Sequence, residues 1–154
     1  VGPWRELIDP QAALGVPAHI TVLFPFVGAA EIDEHVIARA SRVAGRHPAF
    51  DLRLTAVRWF GDTVVWLAPE PAERLSELTR AFMDAFPGHP PYGGIYDDVV
   101  PHLTVGDGGT LSERVSAADA LAPILPLRTR ADAVTLLVER PGGRWMRQHR
   151  FPLG

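Results

Sequence analysis

Pro17-Ala18-His19-Ile20-Thr21-Val22 has a counterpart in Pro101-His102-Leu103-Thr104-Val105, and 83 residues separate His19 from His102. In a strand, residues two apart share a face. His19 and Thr21 therefore project together while Ile20 and Val22 point to the core, and His102 and Thr104 do the same beside Leu103 and Val105. Each stretch offers an imidazole next to a hydroxyl. With 6 His and 8 Thr in 154 residues, chance supplies about 0.3 His-x-Thr triplets. One such triplet reads as a hydrogen-bonded His beside a Thr of high β-propensity. Two, with matching apolar neighbours, read as a functional pair.

Outward from these strands the chain repeats an order. His19 to Phe24 reads as a short buried strand closed by Pro25, and Glu31 to Ala44 as an amphipathic helix with Ile32, Val36, Ile37, Ala40 and Val43 at helical spacing. Phe50 to Phe60 and Thr63 to Ala68 form a hairpin across Gly61-Asp62, and Glu70 to Phe86 is a second helix. Pro87 to Asp98, rich in Pro, Gly and Tyr, carries no period and reads as a loop. Then come a strand (His102 to Val105), a helix (Ser112 to Leu121), a strand (Ala131 to Glu139), a Pro141-Gly142-Gly143 turn and a last strand (Trp145 to Phe151). The expected fold class is α+β: one internally duplicated domain over residues 1–154, with a first repeat at about 17–86 and a second at about 100–152. Two pseudo-symmetric lobes of antiparallel sheet with flanking helices would then enclose a central cleft. Val1 to Leu14 carries Trp4, Leu7 and Ile8 on a stripe sufficient for one or two helical turns.

Composition removes other chemistries. The chain has no Cys, which excludes thiolate nucleophiles, disulfide scaffolds and Cys-based metal sites. All 15 basic residues are Arg, so no Schiff-base or phosphate-loop lysine is available. A net charge of −3 argues against the basic face of a long-duplex binder. No apolar run approaches the roughly 20 residues of a membrane span, so a soluble cytoplasmic protein, monomeric and without a membrane partner, is expected.

The paired tetrapeptides His19-Ile20-Thr21-Val22 and His102-Leu103-Thr104-Val105 resemble the mark of the two-histidine phosphoesterase superfamily, which includes 2′-5′ RNA ligase-like proteins and cyclic nucleotide phosphodiesterases. Spacing and element order fit that family over nearly the whole chain. One departure is that family members usually place a β-strand before the first motif, where this chain has 18 residues of turn-like or helical character. That strand is expected either upstream of Val1 or not at all, the latter leaving a sheet edge unpaired.

The resemblance implies a metal-independent phosphoesterase acting on a 2′,3′-cyclic phosphate or a 2′-5′ linkage of a nucleotide or short RNA, reversible in principle as a ligase. It implies His19 and His102 as acid and base, Thr21 and Thr104 as phosphate donors, and neither cofactor nor metal. The residue types suit this chemistry: two imidazoles with reference pKa near 6.5 can act together, one neutral and one protonated. Tyr92 and Tyr96, in the loop before the second motif, are candidates to stack on a base. His35, His47, His89 and His149 lack ligand spacing and read as surface or capping groups. Trp66, Phe24 and Phe26 read as core, and Arg144, Arg147 and Arg150 as an exposed edge strand. The alternatives are a non-catalytic nucleotide- or RNA-binding module of the same fold and a phosphodiesterase for a cyclic sugar-nucleotide phosphate.

Overall fold

A computed structural model describes residues 1–95 and 99–154. It opens with two short helices, α1 (Gly2–Ile8) and α2 (Pro10–Ala13), and Asp9 caps the second by accepting from the Gln11 N–H. The segment through the first motif leads to α3 (Glu34–Ala44), whose first turn is closed by the Asp33 carboxylate on the Val36 N–H. The hairpin follows as β1 (Phe50–Phe60) and β2 (Val64–Glu70), then α4 (Ala72–Ala85). The second half comprises β3 (Leu103–Gly106), α5 (Leu111–Leu121), β4 (Leu127–Ala131), β5 (Ala133–Glu139) and β6 (Trp145–Pro152). Thr110 and Glu113 form a reciprocal capping box at the start of α5.

The architecture is α+β, with antiparallel sheets carrying helices on one face. One sheet has four strands in the order β3-β2-β1-β4, and the other pairs β5 with β6. Alternation along β1 decides which face is covered: Phe50, Leu52 and Leu54 are buried, Asp51 and Arg53 exposed. Phe50 and Leu52 pack with α3, α4 and the second sheet, around Phe82, Phe86, Leu136, Val138 and Phe151. Leu54, Val65, Leu67 and Val105 pack with Ile8 of α1 and Ala117 and Leu121 of α5. Val65, Leu67 and Val105 have no exposed surface, so the opposite face of these strands is free to carry polar chemistry.

Three expectations are corrected. His19 to Phe24 is not a full strand: a single antiparallel bridge, Ile20 to Leu103, ties it to β3, and the chain then bends. A ladder needs a strand partner at each step, and among the described residues of this stretch only Ile20 has one. The stretch expected to begin at Ala131 is two strands broken at Asp132; β4 pairs with β1 and β5 with β6, because an alternating run does not disclose where a strand changes sheets. Phe24, expected in the core, is 47% exposed and packs its ring toward Trp145. In the loop after α4, Tyr92, Gly93 and Gly94 take successive positive φ values of 50°, 67° and 77°, a path that glycine alone follows freely.

Candidate active site

The single bridge between Ile20 and Leu103 sets the register of the site. Continued one residue each way, antiparallel geometry puts His19 beside Thr104 and Thr21 beside His102, all on the face opposite the core. Beyond β3 the same face is continued by Trp66 of β2, which pairs with Thr104, and Arg58 of β1, which pairs with Trp66. The two His-x-Thr segments thus lie side by side, joined at Ile20 and Leu103.

Both imidazoles are held by the same device. His19 Nδ1 lies 2.8 Å from the carbonyl oxygen of Pro17, and His102 Nδ1 lies 2.7 Å from that of Val100. A carbonyl can only accept, so Nδ1 carries the proton and donates in each case, which leaves Nε2 as the ring nitrogen open to other partners. The local sequence explains the match: each His stands two residues beyond an acceptor in a Pro-containing turn, Pro17-Ala18-His19 and Val100-Pro101-His102. His19 Nε2 lies 3.1 Å from Thr21 Oγ1, within the same motif.

Their walls differ. Around His102 they are aromatic: Phe60 meets the ring edge-on at 5.0 Å and Trp66 at 5.8 Å, and Phe60 stacks on Trp66 at 4.7 Å. Trp66 is buried, and its indole N–H has no partner among the described residues. Near His19 lies a buried ion pair, Arg5 with Asp9, each 4% exposed. Although His19 keeps an exposed edge, its pKa is lowered. Withdrawal from water is the main cause, with the Arg5 cation and His102 adding to it; the Pro17 carbonyl and Asp9 pull the other way.

Tyr92 is half-buried, and its backbone N–H donates to the Phe24 carbonyl at 2.6 Å, so its loop abuts the chain leaving the first motif. Tyr96 lies outside the described residues. Gly106-Asp107-Gly108-Gly109 forms the turn after the second motif. A Cβ at Gly106 would stand 2.5 Å from Ile8 Cγ1, so glycine is required there for α1 to approach. Sequence reasoning missed Arg5 and Asp9. Their i, i+4 spacing was the available signal, but it does not distinguish a buried pair from a solvated one. It also assigned Trp66 to the core without placing it beside His102; the alternation of β2 carried that information. Among the described residues no group of three or more His, Asp or Glu side chains is arranged to hold a metal ion. No described helix is long and apolar enough to cross a membrane.

An antiparallel α+β fold that brings two His-x-Thr segments face to face defines a two-histidine phosphoesterase. Comparison with known proteins places it more closely: the family model of the 2′-5′ RNA ligase superfamily matches residues 1–143, and the chain belongs to that superfamily. It is 29% identical to a Bacillus cereus (strain G9842) protein named "Putative phosphoesterase", over 97% of this chain and 86% of that protein. Among solved structures it is similar in fold to TT0787 of Thermus thermophilus, with a TM-score of 0.59, 17% identity, and 93% and 91% of the two chains covered. It is also similar to E. coli LigT complexed with 3′-AMP, with a TM-score of 0.55, 22% identity, and 99% and 92% covered. LigT has in addition been solved complexed with NADP+.

Proposed function

We propose that this protein is a metal-independent phosphoesterase that opens a 2′,3′-cyclic phosphate, or cleaves a 2′-5′ phosphodiester, at the end of a nucleotide or short RNA. The observation that carries the reading is the pair of matched Nδ1-to-carbonyl bonds, which fix both imidazoles with Nε2 available. For the cyclic ester, one neutral imidazole takes a proton from water as its oxygen attacks phosphorus. The bond from phosphorus to one ribose oxygen breaks, and the other imidazole, protonated, delivers its proton to the departing alkoxide. Thr21 and Thr104 donate to the non-bridging oxygens, whose charge rises in the transition state. The product is a phosphomonoester, and the imidazoles finish with their protonation states exchanged. With a ribose hydroxyl attacking the cyclic phosphate in place of water, the same steps form a new P–O bond to that ribose as one bond of the cyclic ester breaks, and so join two RNA ends; the reverse of that step cleaves the linkage back to the cyclic phosphate. The nucleotide complexes of LigT, similar in fold, support a nucleotide in the cleft. Tyr92 is proposed to flank the base.

The test is turnover of 2′,3′-cyclic nucleotides and 2′-5′-linked oligonucleotides in the presence of a chelator, with His19→Ala and His102→Ala alongside. Each substitution is expected to cost at least about 10²–10⁴-fold in kcat/KM, the worth of one proton transfer, with the circular dichroism spectrum unchanged. Wild-type turnover by either variant overturns the proposal. Tight nucleotide binding without turnover by the unaltered protein would instead favour a binding module.

A further inference from the structure

Outward from Thr104, the open face of the four-stranded sheet carries a row of hydrogen-bond donors. Thr104 of β3 pairs with Trp66 of β2, and Trp66 with Arg58 of β1, so a hydroxyl, an indole and a guanidinium stand at successive positions across three strands. Neighbouring strands lie about 4.7–4.9 Å apart, which puts the Arg58 backbone roughly 10 Å from that of Thr104. Among the described residues none of the three side chains has an acceptor. The Trp66 N–H is buried and unpaired, and neither the Thr104 hydroxyl nor the exposed Arg58 guanidinium makes a hydrogen bond or an ion pair.

Farther along the same face the cations continue. Arg53 of β1 directly faces Arg128 of β4, and Asp51 faces Arg130. Arg53 reaches Glu70 at 3.4 Å and Arg130 reaches Asp51 at 2.9 Å, which leaves Arg128 without an ion pair among the described residues. Like charges directly opposite each other disfavour strand pairing. With Arg58, this face holds four guanidiniums against two carboxylates, in a chain whose net charge is −3. Protection of an edge strand accounts for charge on β4. It does not account for charge of one sign, nor for a cation in register with Thr104. Guanidinium forks without a carboxylate match the paired oxygens of a phosphate.

We propose that Arg58 binds a second phosphate of the substrate, the 5′-phosphodiester of the nucleotide whose reacting phosphate lies at the histidines, so that the site selects the end of an RNA strand over a free nucleoside cyclic phosphate. This rests on the two-histidine reading above. In a strand end one ribose separates the two phosphates, which suits a cation standing two strands from the hydroxyl assigned to the first. The facing pair Arg53 and Arg128, roughly 13 Å farther along the sheet at 3.3 Å per residue, meets the phosphates upstream.

The experiment gives the full chain three substrates: a nucleoside 2′,3′-cyclic phosphate without a 5′-phosphate, its 5′-phosphorylated form, and a dinucleotide ending in the same cyclic phosphate. The unaltered protein should favour the dinucleotide over the first by about tenfold or more in kcat/KM, the scale of a hydrogen bond between charged groups. Arg58→Gln should abolish that preference, and Arg58→Lys, which keeps the charge without the fork, should retain part of it. A ratio of two substrates is insensitive to any loss of folded protein. Equal kcat/KM for the two substrates in the unaltered protein overturns the proposal, as does a preference that survives in Arg58→Gln. So does an equal loss of preference in Arg42→Gln, a cation of α3 outside this face, because net charge alone would then explain it. A 5′-monophosphate favoured over the dinucleotide assigns Arg58 to a free nucleotide and overturns selection of strand ends. Binding supplies a measurement that needs no turnover: calorimetric titration with the phosphomonoester product of the dinucleotide at several salt concentrations. The slope of log affinity against log salt should become shallower by about 0.7 in Arg58→Gln, the worth of one phosphate contact on a single strand, and an unchanged slope overturns the proposal. Failure of the two-histidine reading is distinguishable, because it would show as activity surviving in His19→Ala or His102→Ala while the salt slopes still decide the role of Arg58.

Discussion

At His19 the surrounding groups are charged and buried, Arg5 and Asp9 beneath the turn and Thr21 on Nε2; at His102 they are aromatic, Phe60 and Trp66 against the ring. The backbone device is nevertheless the same, with Nδ1 donating to a carbonyl two residues back at 2.8 Å and 2.7 Å. The contrast separates two requirements. Orientation is met by the same bond in both motifs, and under the proposed chemistry either role in proton transfer needs Nε2 presented in a fixed tautomer. The proposed chemistry requires proton affinity to differ, so that one imidazole is neutral while the other is charged, and unlike walls around two matched turns are a source of such a difference.

The largest effect that could break this picture is in the paired histidine variant. If the two imidazoles act in one concerted exchange, His19→Ala with His102→Ala should be little worse than either single change, because each already removes the whole acid-base route. Losses that multiply would mean the halves act independently. Next in size are the hydroxyls. Thr21 both meets His19 Nε2 at 3.1 Å and is available to phosphate. Thr21→Val should therefore cost about 10²–10³-fold in kcat, the scale of a lost oxyanion donor. Thr104→Val should cost nearer tenfold, about the worth of one hydrogen bond. Equal losses would show that the bond inside the first motif has no part in turnover, and would sharpen the comparison to the walls alone.

Part of this arrangement could be read from sequence because side chains two apart along extended backbone share a side: His19 meets Thr21 at 3.1 Å although their segment forms no ladder, and His102 stands two residues before Thr104 of β3. The covered face of β1 was legible for the same reason, through Phe50, Leu52 and Leu54. What escaped is non-local. The break at Asp132, where β4 leaves one sheet and β5 enters the other, depends on partners far along the chain. The first motif's partner is a single bridge, which no local pattern foretells. Arg5 reaches the site only because α1 folds back onto β3, so a charge that looks solvated in a short helix becomes a buried neighbour of His19.

The smallest effect is on stability, and it isolates the His19 half. Its folded pKa lies below the ordinary imidazole value of 6.5, so between those two values the unfolded chain binds more protons than the native one and stability rises with pH. The favourable contribution is complete above the unfolded value and is lost as pH falls through the window below it. His19→Gln removes this titration, so its denaturant-unfolding free energy should vary less steeply with pH just below 6.5 than that of the wild type. Carboxylates do not mimic the effect. Asp33, drawn down chiefly by the Val36 N–H, and Glu113, drawn down by Thr110, lose their contribution only as pH falls below the ordinary carboxylate range. Asp107, raised by burial, acts with the opposite sign, its contribution falling as pH rises above the ordinary aspartate value. A His19→Gln slope identical to wild type in that window would mean that the buried cation and the withdrawal from water do not reach the imidazole, and the two half-sites would then differ in shape alone.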